Sequence, residues 1–152
     1  MSKYYLRNPY TVNIDGNSYT IQYDPGDSTS NLFGGNSNWR GPVWMPINYL
    51  FIKALQKYGE FYGESLLVEC PAGSGNMLNL KEIADLIGTS ISNIFAKNED
   101  GNRPVFGEYN WFYQKEENKN LVLFHEYFHG DSSRGLGASH QTGWTSLIVN
   151  VM

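Results

Sequence analysis

Apolar residues at helical spacing alternate along this chain with polar stretches that are rich in glycine. Residues 10–23 (YTVNIDGNSYTIQY) instead alternate β-favouring and polar residues around Asp15-Gly16, a pattern that predicts a β-hairpin. Periodic apolar stripes predict helices near 46–60, 79–97 and 143–151. The first stripe comprises Ile47, Leu50, Phe51, Ala54, Leu55 and Tyr58, the second Leu80, Ile83, Ala84, Ile87, Ile91, Ile94 and Phe95, and the third Trp144, Leu147, Ile148 and Val151.

Local signals support the starts of the first two helices. Pro46 suits a first helical turn, and Asn79 with Glu82 three residues further on is close to a capping box. Residues 98–120 are polar and are expected to be irregular, whereas residues 121–128 (LVLFHEYF) are rich in β-forming side chains. Because long loops separate the helices, these do not obviously close a core among themselves. We therefore expect a mainly α fold that belongs to a larger helical assembly.

Composition limits the classes of partner. The 152 residues suffice for one domain with a core, and the 15% of aromatic residues fit either a rigid core or a polar-aromatic ligand cleft. The net charge is −4 and the 11 basic residues are scattered, which argues against a nucleic-acid partner. No apolar run is long enough to span a membrane, the N-terminus lacks the apolar core of a signal peptide, and Cys70 is the single cysteine. A cytoplasmic location is therefore expected.

Residues 125–129 (HEYFH) match the H-E-x-x-H pattern of zinc peptidases, in which both histidines bind metal from one face of a helix. Here the preceding Leu-Val-Leu-Phe favours a strand, and Gly130 interrupts the segment. In a strand, His125 and His129 would lie roughly 13 Å apart, too far to share one zinc ion. A third ligand is also missing after the pair. We therefore expect neither a bound metal nor a cofactor.

Glu126 is the remaining candidate for acid-base chemistry. It lies between aromatic residues and precedes the glycine-rich stretch SSRGLGASHQTG, which leads to Trp144. A carboxylate among aromatic side chains is partly removed from water, and this suits proton transfer. The alternative is a strand glutamate that faces solvent or pairs with Arg134. The residues themselves leave both interpretations open.

Three stretches taken together resemble one enzyme family. NWRGPVWMPINYL, LFHEYFHGDSSRGLGASHQTGW and the terminal TSLIV are similar to the C-terminal part of glycoside hydrolase family 63, and most similar to its bacterial glucosidase-like branch. The similarity extends from about Asn8 to the C-terminus. It implies an (α/α)6 barrel, of which residues 1–152 would form a single incomplete domain. The implied activity is inverting hydrolysis of α-linked glucosides or related sugars.

The resemblance also implies roles for particular residues. Glu126 would be the general base. Trp39 and Trp44 would offer ring faces to the C–H surfaces of a pyranose, and Arg40 would donate to sugar hydroxyls or hold Glu126 ionised. The further implied pocket residues are Gly41, His140, Gln141 and Trp144. The loops 34–44 and 130–144 are accordingly expected to converge on one concave surface.

The general acid of the family is an aspartate upstream of these motifs. None of Asp15, Asp24 or Asp27 lies in a matching context, so the chain is expected to carry half of the catalytic pair and to be inactive alone. The expected partners are an oligosaccharide or small glycoside, the missing upstream half of the barrel, and further copies of the chain. Neither nucleic acid nor membrane is expected. The alternative is a carbohydrate-binding or interaction module that has lost catalysis.

Overall fold

The computed structural model describes residues 3–30, 39, 41–140 and 143–151. The α-helices are α1 (Tyr4–Arg7), α2 (Met45–Tyr62), α3 (Leu80–Ser92) and α4 (Asn110–Tyr113), and the 3-10 helices span Gly63–Ser65, Pro104–Tyr109 and Trp144–Asn150. The strands form antiparallel pairs, β1 (Tyr10–Ile14) with β2 (Asn17–Ile21), β3 (Leu67–Glu69) with β4 (Met77–Asn79), and β5 (Tyr127–Phe128) with β6 (Gly135–Leu136).

The described residues form a small mixed domain in which two helices are the longest elements. The mainly α expectation is therefore confirmed in part, since short antiparallel pairs and irregular segments make up much of the remainder. This composition is compatible with a portion of a larger helical fold. None of the helices in the described ranges has the length and apolar character needed to cross a membrane.

The predicted hairpin is present. Tyr10 pairs with Ile21 and Ile14 with Asn17, so the strands are joined by Asp15 and Gly16 alone. Both turn residues have positive φ angles, 51° and 78°, which aspartate tolerates and glycine adopts freely. The Asp15-Gly16 signal thus fixed both the existence and the register of this pair.

Helix α2 confirms the predicted helix but turns a different face inward. Pro46 lies in its first turn, and its buried side carries Met45, Ile52 and Gly59. Its opposite side, here called the outer face of α2, comprises Ile47, Leu50, Phe51, Tyr58 and Phe61, each more than half exposed. Most of the predicted apolar stripe therefore lies on the surface. An exposed apolar stripe on α2 is compatible with the expected place of the chain in a larger helical assembly.

Helix α3 begins as predicted and ends earlier than predicted. The Asn79 side chain accepts from the backbone N–H of Glu82 at 2.9 Å, and the Glu82 carboxylate accepts from the N–H of Asn79 at 2.8 Å, which completes the capping box. The helix stops at Ser92 rather than near residue 97. Beyond that point the N–H of Ile94 donates to the carbonyl of Ile91 at 3.3 Å, and the carbonyl of Ile94 accepts from Val105 N–H at 2.9 Å. This long-range bond replaces the continuation of the helix.

The structure corrects the expectation for residues 98–120, which are not irregular throughout. They contain the 3-10 helix Pro104–Tyr109 and helix α4. Val105 and Phe106 are buried, and the ring of Phe106 stacks on that of Tyr113 at 3.8 Å between centroids. A pair of apolar residues in a polar context has no periodicity, so the sequence pattern gave no signal for this packing.

Two further expectations are corrected in detail. Within the β-rich run 121–128, only Tyr127 and Phe128 form a strand. The predicted helix at 143–151 is a 3-10 helix, and it buries Thr145 and Ile148. Thr145 is fully buried, and its hydroxyl donates to the carbonyl of His125 at 2.6 Å. A buried hydroxyl with such a partner avoids the cost of desolvation.

The helices do close a core, contrary to the sequence-based expectation. The core joins residues from α2, α3, the turn that follows α3, the Pro104–Tyr109 segment, β5 and the last 3-10 helix. These residues are Met45, Ile52, Ala84, Ile91, Ile94, Phe95, Val105, Phe106, Phe128 and Ile148. Phe128 has no exposed surface. It also forms a two-way bridge with Val43, in which each N–H donates to the other carbonyl at 2.8 and 3.0 Å. This bridge ties the segment before α2 to β5.

The outer face of α2 predicts self-association of the isolated chain. When two copies associate through this face, its exposed apolar side chains are removed from water, and this lowers the free energy of the dimer. We expect sedimentation velocity to show concentration-dependent dimers or larger species, and Leu50→Glu with Phe61→Glu to shift the chain to monomer. Val149→Glu, at another exposed apolar position, is the matched control and should leave association unchanged. A wild-type monomer at all concentrations would contradict the expectation.

Candidate functional site

Three aromatic rings from two distant segments stack face to face. The rings of Trp39 and Trp44 are 4.0 Å apart at an interplanar angle of 10°, and those of Trp44 and Tyr127 are 4.5 Å apart at 20°. We call Trp39, Trp44 and Tyr127 the ring stack. Trp44 lies in the middle and is 2% exposed, whereas Trp39 at the outer end is 53% exposed. The stack therefore presents one half-exposed indole on a buried aromatic support.

Trp144 connects the ring stack to Glu126. Its ring meets those of Trp39 and Trp44 edge to face, at 6.5 and 5.7 Å between centroids. Its Nε1–H donates to the main-chain carbonyl of Glu126 at 2.8 Å. The predicted meeting of the two distant stretches is thus confirmed for Trp39, Trp44, Glu126 and Trp144.

The ring of Trp44, which was expected to face a sugar, lies between two other aromatic rings. Both of its ring faces are covered, one by Trp39 and the other by Tyr127. A ring with two covered faces cannot also lie against a sugar. Trp44 instead supports Trp39, whose exposed ring remains available. Tryptophans gather before α2 because one of them forms the base on which another is held.

The Glu126 carboxylate is held by the main chain of the opposite strand segment. The N–H of Glu126 donates to the carbonyl of Ala138 at 3.0 Å, and Oε2 accepts from the N–H of Ala138 at 3.1 Å. Gly137, with a φ of 68°, makes this approach possible, because a Cβ there would lie 2.5 Å from Oε2. The side chain is half-buried. One carboxylate oxygen is therefore fixed in direction.

The alternative interpretation of Glu126 named Arg134 as its partner. The structure pairs Arg134 with Glu108 instead, at 3.0 Å between Nη1 and Oε1. Glu108 and Arg134 lie on segments that flank the site. The proposed ion pair with Glu126 is therefore wrong.

Two residues that the sequence analysis did not assign complete the site. Tyr127, buried at the inner end of the ring stack, donates its hydroxyl to a carboxylate oxygen of Asp27. Burial, followed by the hydrogen bond to Asp27, raises the pKa of Tyr127 well above its ordinary value. The contact joins residues 100 positions apart in sequence, so no local pattern could have indicated it.

Gly41 has a packing role in this structure. A Cβ at position 41 would overlap the carbonyl of Asp24, so the two backbones touch where only glycine fits. Next to them, the N–H of Gly130 donates to the carbonyl of Pro25 at 2.7 Å. The segments at 24–25, 41 and 130 thus meet as bare backbone. Gly41 contributes to the site by allowing this approach.

The histidines of the HEYFH motif do not lie on a helix, which the zinc-peptidase pattern requires. The Nδ1 atom of His129 accepts from the N–H groups of Asp131 and Ser132, each at 3.2 Å. Within the described ranges, no three histidine, cysteine, aspartate or glutamate side chains group as metal ligands. His125 is half-buried, and its Nδ1 has no hydrogen-bond partner among the described residues.

The remaining expected pocket residues differ in position. His140 is exposed, and its ring lies 6.4 Å from that of Phe124 between centroids. Arg40 and Gln141 lie outside the described residues. The described site therefore consists of the ring stack, Trp144, the fixed carboxylate of Glu126 and the Asp27 contact. An exposed indole suits the C–H face of a sugar ring, and a fixed carboxylate can accept a proton from water.

Comparison with known proteins gives consistent matches. The family model of the mannosylglycerate hydrolase MGH1-like glycoside hydrolase domain matches residues 12–145. An uncharacterized protein of Saccharomyces cerevisiae is 45% identical over 151 residues, which are 98% of this chain and 14% of that protein. The mannosyl-oligosaccharide glucosidase of the same yeast is 34% identical over 121 residues, 79% of this chain and 11% of the enzyme. The chain thus spans 11 to 14% of the length of these two relatives.

The backbone contact at Gly41 predicts a strong effect of one methyl group. Gly41→Ala should lower the free energy of unfolding by about 1–3 kcal/mol, because the Asp24–Pro25 segment must move. Gly143→Ala is the matched control, since nothing lies within 4 Å of a Cβ at that position. Urea denaturation of both variants checks this. Equal midpoints for the two variants would contradict the packing role.

His125 predicts a pH dependence of stability. Burial, with smaller contributions from Arg134 and His140, lowers the pKa of His125 below its ordinary value of 6.5. As the pH falls from about 6.5, the unfolded chain takes up a proton that the folded chain resists, so stability falls until the lowered pKa is reached. Denaturation midpoints between pH 8 and 5 should show this decline. His125→Gln should weaken it, and an identical decline in the variant would contradict the assignment.

Proposed function

Because the chain belongs to the family of mannosylglycerate hydrolase MGH1-like glycoside hydrolase domains, we propose that it supplies the general base of an inverting glycosidase. The resemblance to glycoside hydrolase family 63 is confirmed by this match and by the yeast glucosidase. The proposed base is Glu126, and the proposed substrates are α-linked glucosides or related sugars.

The observation that carries the proposal is the way in which Glu126 is held. One carboxylate oxygen accepts from Ala138 N–H, and the main chain of Glu126 accepts from Trp144. A base that activates water must keep its direction while the sugar and the water come into position. A solvent-facing glutamate on a strand would not need two such tethers. This supports the catalytic interpretation of Glu126.

The other half of the reaction needs a second carboxyl group. In an inverting enzyme, a protonated acid gives its proton to the leaving oxygen while the base takes one from water on the opposite face of the sugar. The two carboxyl groups lie about 6.5–9.5 Å apart in such enzymes, which leaves room for the water. We propose that the acid is an aspartate in a preceding segment of an (α/α)6 barrel. The chain described here would then act together with that segment.

The outer face of α2 fits such a partner segment. Its exposed apolar residues follow helical spacing, which is the pattern of a helix packed on a second helix. We propose that this face packs against other helices of the same catalytic barrel. The association expected of the isolated chain would then replace that contact.

The ring stack supplies the proposed sugar contact. The half-exposed indole of Trp39 offers a flat apolar face, and Trp44 and Tyr127 hold it from beneath. The C–H groups of a pyranose form an apolar surface that such a face accommodates. Trp39 would therefore hold the sugar, while Glu126 would act on the water.

Replacement of the proposed base should remove turnover and retain binding. The chain alone should hydrolyse glycosides negligibly, and co-expression with the upstream portion of the 45% identical yeast relative should give activity with inversion at the anomeric carbon. Glu126→Gln should then lower kcat by about 100- to 10,000-fold with little change in sugar affinity, because the amide cannot accept a proton from water. An assay with α-glucosides and α-mannosides, with NMR of the first anomer formed, measures both.

Glu108→Gln is the matched control, since Glu108 is exposed and binds Arg134. Retained configuration, or full activity of Glu126→Gln, would contradict the role of Glu126. Binding without any turnover in the assembled protein would favour the alternative, a carbohydrate-binding module derived from the fold.

Removal of the Trp39 ring should weaken sugar binding. Trp39→Ala should raise the Kd for methyl α-glucoside or methyl α-mannoside by about tenfold, because the only exposed face of the ring stack is lost. Trp111→Ala removes another exposed indole, on α4, and should leave the Kd unchanged. Titration calorimetry provides the measurement. Equal affinity of both variants would contradict the assignment of Trp39.

A further inference from the structure

Asp27 contacts a side chain that is far from it in sequence, Tyr127. It is exposed, yet it accepts a hydrogen bond from the hydroxyl of Tyr127, which is 1% exposed. Tyr127 follows the proposed base directly in sequence, and its ring forms the inner end of the ring stack. Asp27 is therefore linked through Tyr127 to the residue next to Glu126 and, by way of Trp44, to Trp39.

The segment that carries Asp27 is itself anchored on both sides. The carbonyl of Pro25 accepts from Gly130 N–H at 2.7 Å. The carboxylate of Asp24 accepts from the hydroxyl of Thr29 at 3.0 and 3.1 Å, which closes the loop around residue 27. Asp27 is thus presented to Tyr127 by a loop that has its own contacts.

The chemistry of the pair favours a directional constraint. A hydroxyl that donates to a carboxylate forms a charge-assisted bond, which is shorter and stronger than a bond between neutral groups. Because Tyr127 is buried, loss of this acceptor would disturb a polar group that lies away from water. Without the acceptor, the ring of Tyr127 could rotate or shift. The ring of Trp44 would feel such a movement, because the centroids of the two rings are 4.5 Å apart.

We propose that Asp27 is a positioning residue, which sets the ring of Tyr127 and, through Trp44, the orientation of the sugar-facing ring of Trp39. The proposal deepens the proposed function and rests on it for the sugar alone. In this role Asp27 acts through Tyr127 and is not assigned a contact with the sugar or with the reacting water.

The indole N–H signals of the protein report this arrangement directly. The chain has four tryptophans, and each gives one indole signal in a two-dimensional NMR spectrum of the full 152-residue chain. Replacement of each tryptophan by phenylalanine assigns the signals. We expect Asp27→Ala and Tyr127→Phe to shift the signals of Trp39, Trp44 and Trp144 in the same pattern. Trp111, on α4, serves as the internal reference and should not move.

A double-mutant cycle tests whether Asp27 acts through Tyr127. Asp27→Ala and Tyr127→Phe should each raise the Kd for methyl α-glucoside or methyl α-mannoside by about tenfold. The double variant should raise this Kd by about tenfold as well, rather than a hundredfold, because both changes remove the same contact. Asp27→Asn keeps an acceptor without the charge and should cost about two- to threefold. Asp85→Ala, at an exposed aspartate on α3, is the matched control and should change neither signals nor affinity.

The outcomes separate this proposal from the proposed function. Unmoved indole signals in folded Asp27→Ala and Tyr127→Phe would overturn the positioning role, as would single effects that multiply in the double variant. A general loss of stability without this pattern would shift all four indole signals or none, and would also overturn it. If the wild-type chain binds neither glycoside, the proposed sugar contact fails, and the indole signals still decide the part of Asp27.

Discussion

The bridge between Val43 and Phe128 is the constraint on which the remainder of this structure depends. Its two hydrogen bonds join the segment before α2 to β5, and they set which residues on either side come face to face. Phe128 then enters the core, while its neighbour Tyr127 turns to the opposite side and stacks on Trp44. A single pairing thereby couples the packing of the core to the placement of the aromatic site.

Two kinds of contact position the side chains of the site. Aromatic packing places Trp39, and main-chain hydrogen bonds direct Glu126. Packed rings tolerate small shifts, since dispersion and area burial are not strongly directional, whereas a hydrogen bond requires a defined angle. Under the proposed function, the sugar would therefore be held by packing contacts and the water would be activated by a carboxylate with a defined direction.

The sequence predicted those features that depend on neighbouring residues. Asp15-Gly16 defined the hairpin, Asn79 with Glu82 defined the start of α3, and the apolar spacing after Pro46 defined α2. It failed where the choice is made by distant partners. Periodicity revealed a stripe on α2 but not which side would be buried, because apolar residues occur on both sides of that helix. Likewise, the resemblance marked Trp39, Trp44 and Glu126 together, but the covered faces of Trp44 and the contact of Asp27 with Tyr127 arise only in three dimensions.

The bond from the main chain of Ala138 to Glu126 has a consequence for how such a site can vary. Because the donor is a peptide N–H, the bond does not depend on the side chain at position 138, provided that the residue there is not proline. The number of residues between β6 and position 138 is a different matter, since an insertion or deletion there would move the N–H donor away from the carboxylate. The site therefore tolerates most substitutions at position 138 but not a change in the spacing between β6 and that position. Related proteins are accordingly expected to keep this spacing more strictly than the amino acid at position 138.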